Sequence, residues 1–449
     1  MNYINTQYNA EEHKLKHSQT GLEVEIHLID LKGSPCYRAQ ELIDEVKRRY
    51  PDIQIVKECA KNLIEFGCYP DTDTHNPIME IMNSVQKTIE VAKEMGILLY
   101  PFGTYPGKLL VNYSDGGKYE VQKKIYGEKK FELATKVAGF HHHHVLPKGV
   151  FDYEKKDIKV LIDSKLGRSM LSCYNFEIAI DPIVTLFTQS SPFIEGKRLG
   201  KDSRMIVYRG GKKLDYKNGL YSKYQQFGGL PPYKQTATDL MNSLHRRRDK
   251  WKKLIKDNGE NPDKLYPNEL DIGWNPVKLN KHGTIEQRGM DMSYFSTIVP
   301  VTIILRECLH KIQQHYLDVI PTDLGMTKPF LEQNGLLLIP PHTQVRNNLQ
   351  KASAYEGFEN EELVLYTKKF LSFAKTITND SYKPLIKILE QRIKKRKSVS
   401  DEIIQYAKKK GFSDELNQKQ AAKIALVFSR RFELDLQKTI NLLNQIVKD

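Results

Sequence analysis

An α+β fold with a helical C-terminal region is what this chain predicts, on two observations. From about residue 18 to 295, short runs at the alternating period of a strand are interleaved with segments at helical period. Beyond Ser296 the pattern becomes almost entirely helical. The chain has 449 residues, 40% hydrophobic and 10% aromatic, so it can bury a substantial core. That length leaves room for roughly two to three domain-sized units. No apolar run approaches the roughly 20 residues that span a bilayer. The polar opening "MNYINTQYNAEEHKLKHSQT" lacks the apolar core of a signal peptide, so a cytoplasmic location with no membrane partner is expected. Cys36, Cys59, Cys68, Cys173 and Cys308 form no CxxC pair and are odd in number. They are expected to be reduced thiols, mostly buried.

The first strand lies in "TGLEVEIHLID". Leu22, Val24, Ile26 and Leu28 fall on one face and Glu23, Glu25 and His27 on the other. Glu23 and Glu25 project side by side, roughly 7 Å apart. Two carboxylates so close repel or take up a proton unless a cation lies between them. The ordinary alternative is the solvated face of an antiparallel strand. Next, "VKECAKNLIEFGCYPD" sets Glu58 and Glu65 around a short apolar strand, which alone reads as surface glutamates. "NSVQKTIEVAKEMG" then reads as a helix with Asn83 or Ser84 as N-cap and Gly96 as the stop.

In "AGFHHHHVLPKG" a strand sends His141 and His143 to one side, and His142 and His144 to the other. If Glu23, Glu25, Glu65 and Glu286 share the side of His141, oxygen donors dominate and one imidazole joins them. Such a set suits Mg2+ or Mn2+ better than zinc, and no HExxH helix is present. Histidines satisfied within the core are the competing reading. "GGKKLDYKNGLYSKYQQFGGLPPYKQ" has no periodicity and reads as a long loop able to order on a ligand. In "NKHGTIEQRGMDMS", Gly283 ends a turn, and Thr284, Glu286 and Arg288 share one face of the strand that follows. An acid and a guanidinium in one cleft can hold a cation and clamp a carboxylate or phosphate, or simply pair with each other.

"ELVLYTKKFLSFAKTI" and "NQKQAAKIALVFSRRFELDLQKTINLLNQIV" are helical by the same test. The formal charge is +14, and more than half of it falls between Ser381 and Asp449, with 16 Lys and Arg against 8 Asp and Glu. "QRIKKRKSVSDEIIQYAKKKG" alternates basic and apolar positions at helical spacing, as a solvated face does, or a surface for RNA or an acidic partner. The remaining charge can attract anionic small substrates, which a nucleotide would be.

Taken in order, "GLEVEIHLID", "NLIEF", "GILLYPFGTYPG", "KYEVQKKIYGEKKFELATKVAGFHHHHV", "SPFIEGKRLGKDSRM" and "WNPVKLNKHGTIEQRGMD" carry the patterns G-x-E-x-E, G-x-H-x-H, S-P-F-x-x-G and G-T-x-E-x-R. This series resembles the glutamate-cysteine ligase type 2 or carboxylate-amine ligase family, from about Thr20 to Phe358. "TYPG" and "DSRM" depart from the family's usual residues, which bears on the substrate. The resemblance implies a glutamine synthetase-like catalytic fold, in which a curved antiparallel sheet flanked by helices carries the cleft. A catalytic domain over 1-375 and a basic helical extension over 376-449 are expected.

The resemblance also implies a reaction. ATP phosphorylates the γ-carboxylate of glutamate, and an amine, cysteine first, attacks the acyl phosphate to give γ-glutamylcysteine. Another acid or amine is the alternative within the same chemistry. Glu23, Glu25, Glu58, Glu65, His141 and Glu286 would bind Mg2+, with Mn2+ as the alternative. His143 would be a donor near the phosphates, and Arg288 and Arg204 would stabilise the transferring phosphoryl group or clamp a substrate carboxylate. No P-loop is present, so metal ions and basic residues would hold the triphosphate. The loop around "GGKKLDYKNG" and "FGGLPPY" would close over the site. Partners are then small molecules, with homo-oligomers compatible and nucleic acid not expected. A non-catalytic RNA-associated protein is the reading from another class, supported by "RIKKRK" and "YAKKKG".

Overall fold

The structure is a computed structural model that describes residues 18–114, 117–159 and 164–446. The polar stretch over residues 1–17 lies outside the described residues. The alternation in the first strand yields β1 (Thr20–Asp30), with Leu22, Val24, Ile26 and Leu28 all buried. β1 is the hub of an antiparallel sheet that also contains β2 (Ile55–Lys57), β3 (Leu63–Gly67), β4 (Ile97–Tyr100), β5 (Gly139–Val145), β6 (Val277–Asn280) and β7 (Thr284–Asp291). The order is β6, β7, β5, β1, β3, β2. β5 pairs with the first half of β1 and β4 with its second half. One β-bulge lies in β7 between Gln287 and Met290. A bulge interrupts the ladder and re-aims the chain, and here Arg288 N donates to Pro276 O.

The same region carries helices α1 (Ala39–Arg49), α2 (His75–Glu94), α3 (Gly117–Tyr126), α4 (Lys165–Thr188), α5 (Ser203–Arg209), α6 (Ala237–Asp257) and α7 (Phe295–His315). α2, α4 and α7 pack on the strands of the sheet. α2 begins at His75, not at Asn83 or Ser84: Pro77 presets φ in its first turn, and Ser84 is buried mid-helix. Gly96, at φ +71°, stops it as expected.

α4 corrects the reading that no apolar run is long enough to cross a membrane. By length and composition it is, yet every residue of its most apolar stretch is buried inside the protein. It is a core helix. Its buried Asp181 is held by Arg209 in a two-pronged pair of 2.6 and 2.9 Å.

The region past Ser296 is not wholly helical. β8 (Asp318–Pro321), β9 (Glu332–Gln333) and β10 (Leu336–Ile339) form a small separate sheet. Asn334 and Gly335, at φ +52° and +76°, make the turn between β9 and β10. An Asn-Gly pair is the strongest short hairpin signal, and a helical-period test passes over it.

The chain continues through α8 (Glu361–Ile377), α9 (Lys383–Lys395), α10 (Val399–Lys409) and α11 (Gln418–Ile446). Leu389, Ile393, Ile403 and Ile404 point into the core, while Lys394, Lys395, Lys408 and Lys409 are exposed. Phe428 and Phe432 of α11 join the apolar cluster that contains Val24 and Ile26, and Ser429 Oγ donates to Leu99 O at 2.7 Å. Lys201 is clasped by Asp401 and Glu359 at 2.5 and 2.8 Å.

The segment expected to be a long open loop is mostly packed. Leu220, Tyr221 and Phe227 are buried in a second cluster with Trp251 and Tyr266, against Trp274. Aromatic area, which period-based reading does not weigh, holds it in place. Cys36, Cys59, Cys173 and Cys308 are buried, Cys68 is half-buried, and all five are free thiols.

Candidate active site

Strand pairing assembles the site. Glu23 lies opposite His141, Glu25 opposite Glu65, and Glu286 opposite His143. Because β1, β3, β5 and β7 are adjacent, residues separated by more than 260 positions reach one face of the sheet. Glu58 arrives from the turn after β2, its carboxylate accepting from Cys59 N at 2.9 Å.

His141 is the centre. Its Nδ1 is 2.9 Å from Glu23 Oε2 and 3.7 Å from Glu286 Oε1, and its Nε2 is 3.7 Å from Glu25 Oε1. His143 Nε2 is 3.4 Å from Glu23 Oε1, and its Nδ1 is 2.9 Å from Thr284 Oγ1. Glu25 Oε2 accepts from Gly139 N at 2.5 Å. Arg288 Nη1 stands 3.3 Å from Glu286 Oε1. Arg204, from the first turn of α5, donates from Nη2 to Arg288 O at 3.2 Å, so the bulge in β7 gives it a carbonyl to grip.

Two residues that sequence reading passed over belong here. Lys278 pairs opposite Glu286, and Asn280 Nδ2 donates to Glu286 Oε2 at 2.6 Å. The signal was the hairpin "VKLNKHGTIE", whose alternation puts Lys278 and Asn280 on the face of Glu286.

The acids do not share one electrostatic fate. Burial, then Glu25, raises Glu58; burial, then Glu58, Glu23 and Glu25, raises Glu65 well above the carboxylate range. Burial would raise Glu23 too, but His143 and His141 hold it well below. Against burial, Arg288 and Lys278 bring Glu286 down to about 2. Burial pushes the Lys278 ammonium down to about 8. One end of the cluster is thus balanced by cations, and the other is short of positive charge.

Donor atoms fall into three sets, each within 4.8 Å: Glu25, Glu58 and Glu65; Glu23, Glu65 and His141; Glu23, His143 and Glu286. Glu65 links the first two sets and Glu23 the last two. His141 Nε2 is buried without a hydrogen-bond partner among the described residues. Carboxylate-rich sets with one imidazole and an unsatisfied ring nitrogen fit hard divalent cations.

The carboxylates and His141 line one cavity, and the cluster reaches a second at Glu23 and His143. The first, of about 330 Å³, is bordered by Arg204, Lys278, Tyr119, Tyr208, Tyr221 and Trp274. The second, of about 500 Å³, is bordered by Gln54, Tyr69, Tyr153 and His143. Both reach Glu23, Lys281 and His282. Tyr221 comes from the segment expected as a closing loop and forms part of the wall.

His142 and His144 face away, as strand alternation predicts. His144 Nε2 meets Gln313 Oε1 at 2.7 Å. His142 differs. Neither ring nitrogen has a hydrogen-bond partner among the described residues, and burial holds it neutral, well below the usual imidazole value.

Comparison with known proteins adds to this geometry. The sequence model of Glutamate-cysteine ligase family 2 (GCS2) matches residues 19–294. No curated protein matches the chain by sequence. Among solved structures, the chain is similar to a glutamate–cysteine ligase from Francisella tularensis in complex with AMP. Identity is 12% and the TM-score 0.59, over 96% of this chain and 93% of that one. It is also similar to a bifunctional glutathione synthetase from Pasteurella multocida, at 13% identity and TM-score 0.57. That match covers 94% of this chain and 54% of the other, so this chain spans about half of that protein's length.

Proposed function

This chain belongs to Glutamate-cysteine ligase family 2 and is a carboxylate-amine ligase; from that premise we propose that it uses ATP to join glutamate to cysteine, forming γ-glutamylcysteine. The observation that carries this reading is the row of three cation donor sets, joined through Glu23 and Glu65, that lines one cavity and reaches a second at Glu23 and His143. Phosphoryl transfer between two bound substrates needs such an arrangement, because nucleotide and acceptor must meet in line.

Glu23, Glu25, Glu58, Glu65, His141 and Glu286 would hold Mg2+, with Mn2+ as the alternative, and His143 completes the third set. Bound there, the ions would neutralise phosphate charge. In the first step a glutamate γ-carboxylate oxygen bonds the γ-phosphorus of ATP, the bond to the bridging oxygen breaks, and ADP leaves. Arg288 and Arg204 present guanidinium groups to the transferring phosphoryl group, and Glu286 keeps Arg288 oriented. In the second step the amine nitrogen bonds the acyl carbon, the carbon to phosphate-oxygen bond breaks, and inorganic phosphate and a proton leave. The aromatic border of Tyr119, Tyr208, Tyr221 and Trp274 limits water that would hydrolyse the acyl phosphate.

The test is ADP release with ATP and Mg2+ across a panel of amino acids and amines. Release that requires glutamate and cysteine together supports the proposal; dependence on a different pair redirects the substrates; release that needs no amine overturns the ligation step. Glu23→Ala and Glu286→Ala are expected to lose activity while remaining folded.

A further inference from the structure

A third cavity, of about 450 Å³, shares no lining residue with the two at the carboxylate cluster. It lies beyond the edge strand β6, between α4, α6 and the segment around residue 346. Arg246, Arg247 and Lys250 of α6 line it together with Arg346, and Leu230, Pro232 and Leu240 supply apolar surface. No carboxylate of the described residues forms an ion pair with any of these four cations. Arg247 Nη1 donates to Asn275 Oδ1 at 2.5 Å, and Arg346 Nη2 to Gln225 Oε1 at 3.4 Å. Beside the cavity Lys234, 7% exposed, donates from Nζ to Ser243 Oγ, which is also in the lining. Arg346 stands on a π-helical stretch, Val345–Leu349. Such stretches are rare and concentrate at functional sites.

Arg247 and Arg346, the less exposed of the four, are costly to hold beside further cations unless an anion offsets them. Among the described residues no carboxylate pairs with them. We propose that this cavity binds a small polyanion with a non-ionic part, phosphorylated or polycarboxylic, separately from the transfer site. Guanidinium groups match both kinds of oxygen.

The surroundings connect this site to the catalytic cavity. Asn275, gripped by Arg247, donates to Gly229 O at 2.7 Å, and the adjoining Trp274 N donates to Phe227 O at 2.5 Å. Gln225, gripped by Arg346, donates to Tyr221 O at 3.0 Å. Trp274 and Tyr221 stack, centroids 5.9 Å apart, and both border the catalytic cavity. The anion therefore stiffens that aromatic wall. The binding claim is independent of the proposed ligation, whereas the coupling rests on it.

The experiment titrates the full chain, without ATP or metal, with pyrophosphate in one arm and citrate in the other. Calorimetry reads binding. Emission from Trp251 and Trp274, the chain's two tryptophans, reads the wall. Saturable binding is expected, weakened roughly tenfold or more in the double variant Arg246→Gln, Lys250→Gln, and unchanged in Arg288→Gln. The tighter arm identifies the anion class. Those two exposed α6 positions lie outside the transfer machinery, so ADP release without the anion should stay at the wild-type level. Absence of saturable binding, or equal binding by the double variant, overturns the site. Loss in Arg288→Gln alone would place the anion at the transfer centre and overturn it too. Binding without a change in tryptophan emission overturns the coupling.

Discussion

The position a Cβ would take on Gly139 lies 2.3 Å from Arg204 Nη2. Gly139 also donates its N–H to Glu25, so one residue without a side chain serves both an acid and a guanidinium. A methyl group there must displace Arg204 or shift β5. Gly139→Ala is expected to lower ADP release by roughly ten- to hundredfold, since small misplacements of positioning groups cost that much. Circular dichroism should remain that of the wild type. Full activity would show that Arg204 is not needed where it stands.

The buried pair of Arg209 and Asp181 makes a second prediction. Removing one partner leaves an uncompensated charge in the core, which costs about 3–5 kcal/mol. Arg209→Ala should therefore unfold at markedly lower urea concentration. The double replacement Arg209→Met, Asp181→Leu should recover most of the loss.

Glu58 and Glu65 are raised by burial and by neighbouring acids, which gives a sign to the metal dependence. A carboxyl raised in the folded state stabilises fully below its unfolded value, near 4.3, and that contribution is lost as pH rises toward the folded value. Metal-free protein should accordingly lose melting temperature from mildly acidic to mildly alkaline buffer. Mg2+ should restore most of it at the alkaline end and release protons on binding in weakly buffered solution. Glu65→Gln should diminish the proton release. A metal effect independent of pH would count against the cluster as the binding place.

His142 and His27 act in the opposite direction. Burial lowers both, His27 to about 3, so their contribution is present above the unfolded value near 6.5 and is lost as pH falls. Each adds up to about 1.4 kcal/mol per pH unit to the acid limb. His142→Leu should flatten urea stability between neutral and mildly acidic pH while leaving the neutral value little changed.

Much of the sheet was legible because its strands alternate. β1 and β5 each carry residues for both faces, and period 2 separates Glu23 from Val24 and His141 from His142. What alternation cannot supply is which strand lies beside which. Glu25 meets Glu65 only through the pairing of β1 with β3, a relation between distant segments. Lys278 needed the β6 and β7 hairpin to be recognised as a unit. The aromatic wall around Trp274 has no period at all, since Tyr119, Tyr221 and Trp274 come from three segments brought together by packing. α4 misled for a physical reason: a helix wholly enclosed by protein and one enclosed by lipid need the same apolar surface.

The run from His141 to His144 resembles an affinity handle, yet all four residues are at most 6% exposed. In the folded protein none is offered to immobilised nickel. Denaturation would release four adjacent imidazoles at once, and the resin would then hold the chain. The strand is thus a built-in reporter of unfolding, in which retention on the column follows the fraction of molecules whose sheet has opened.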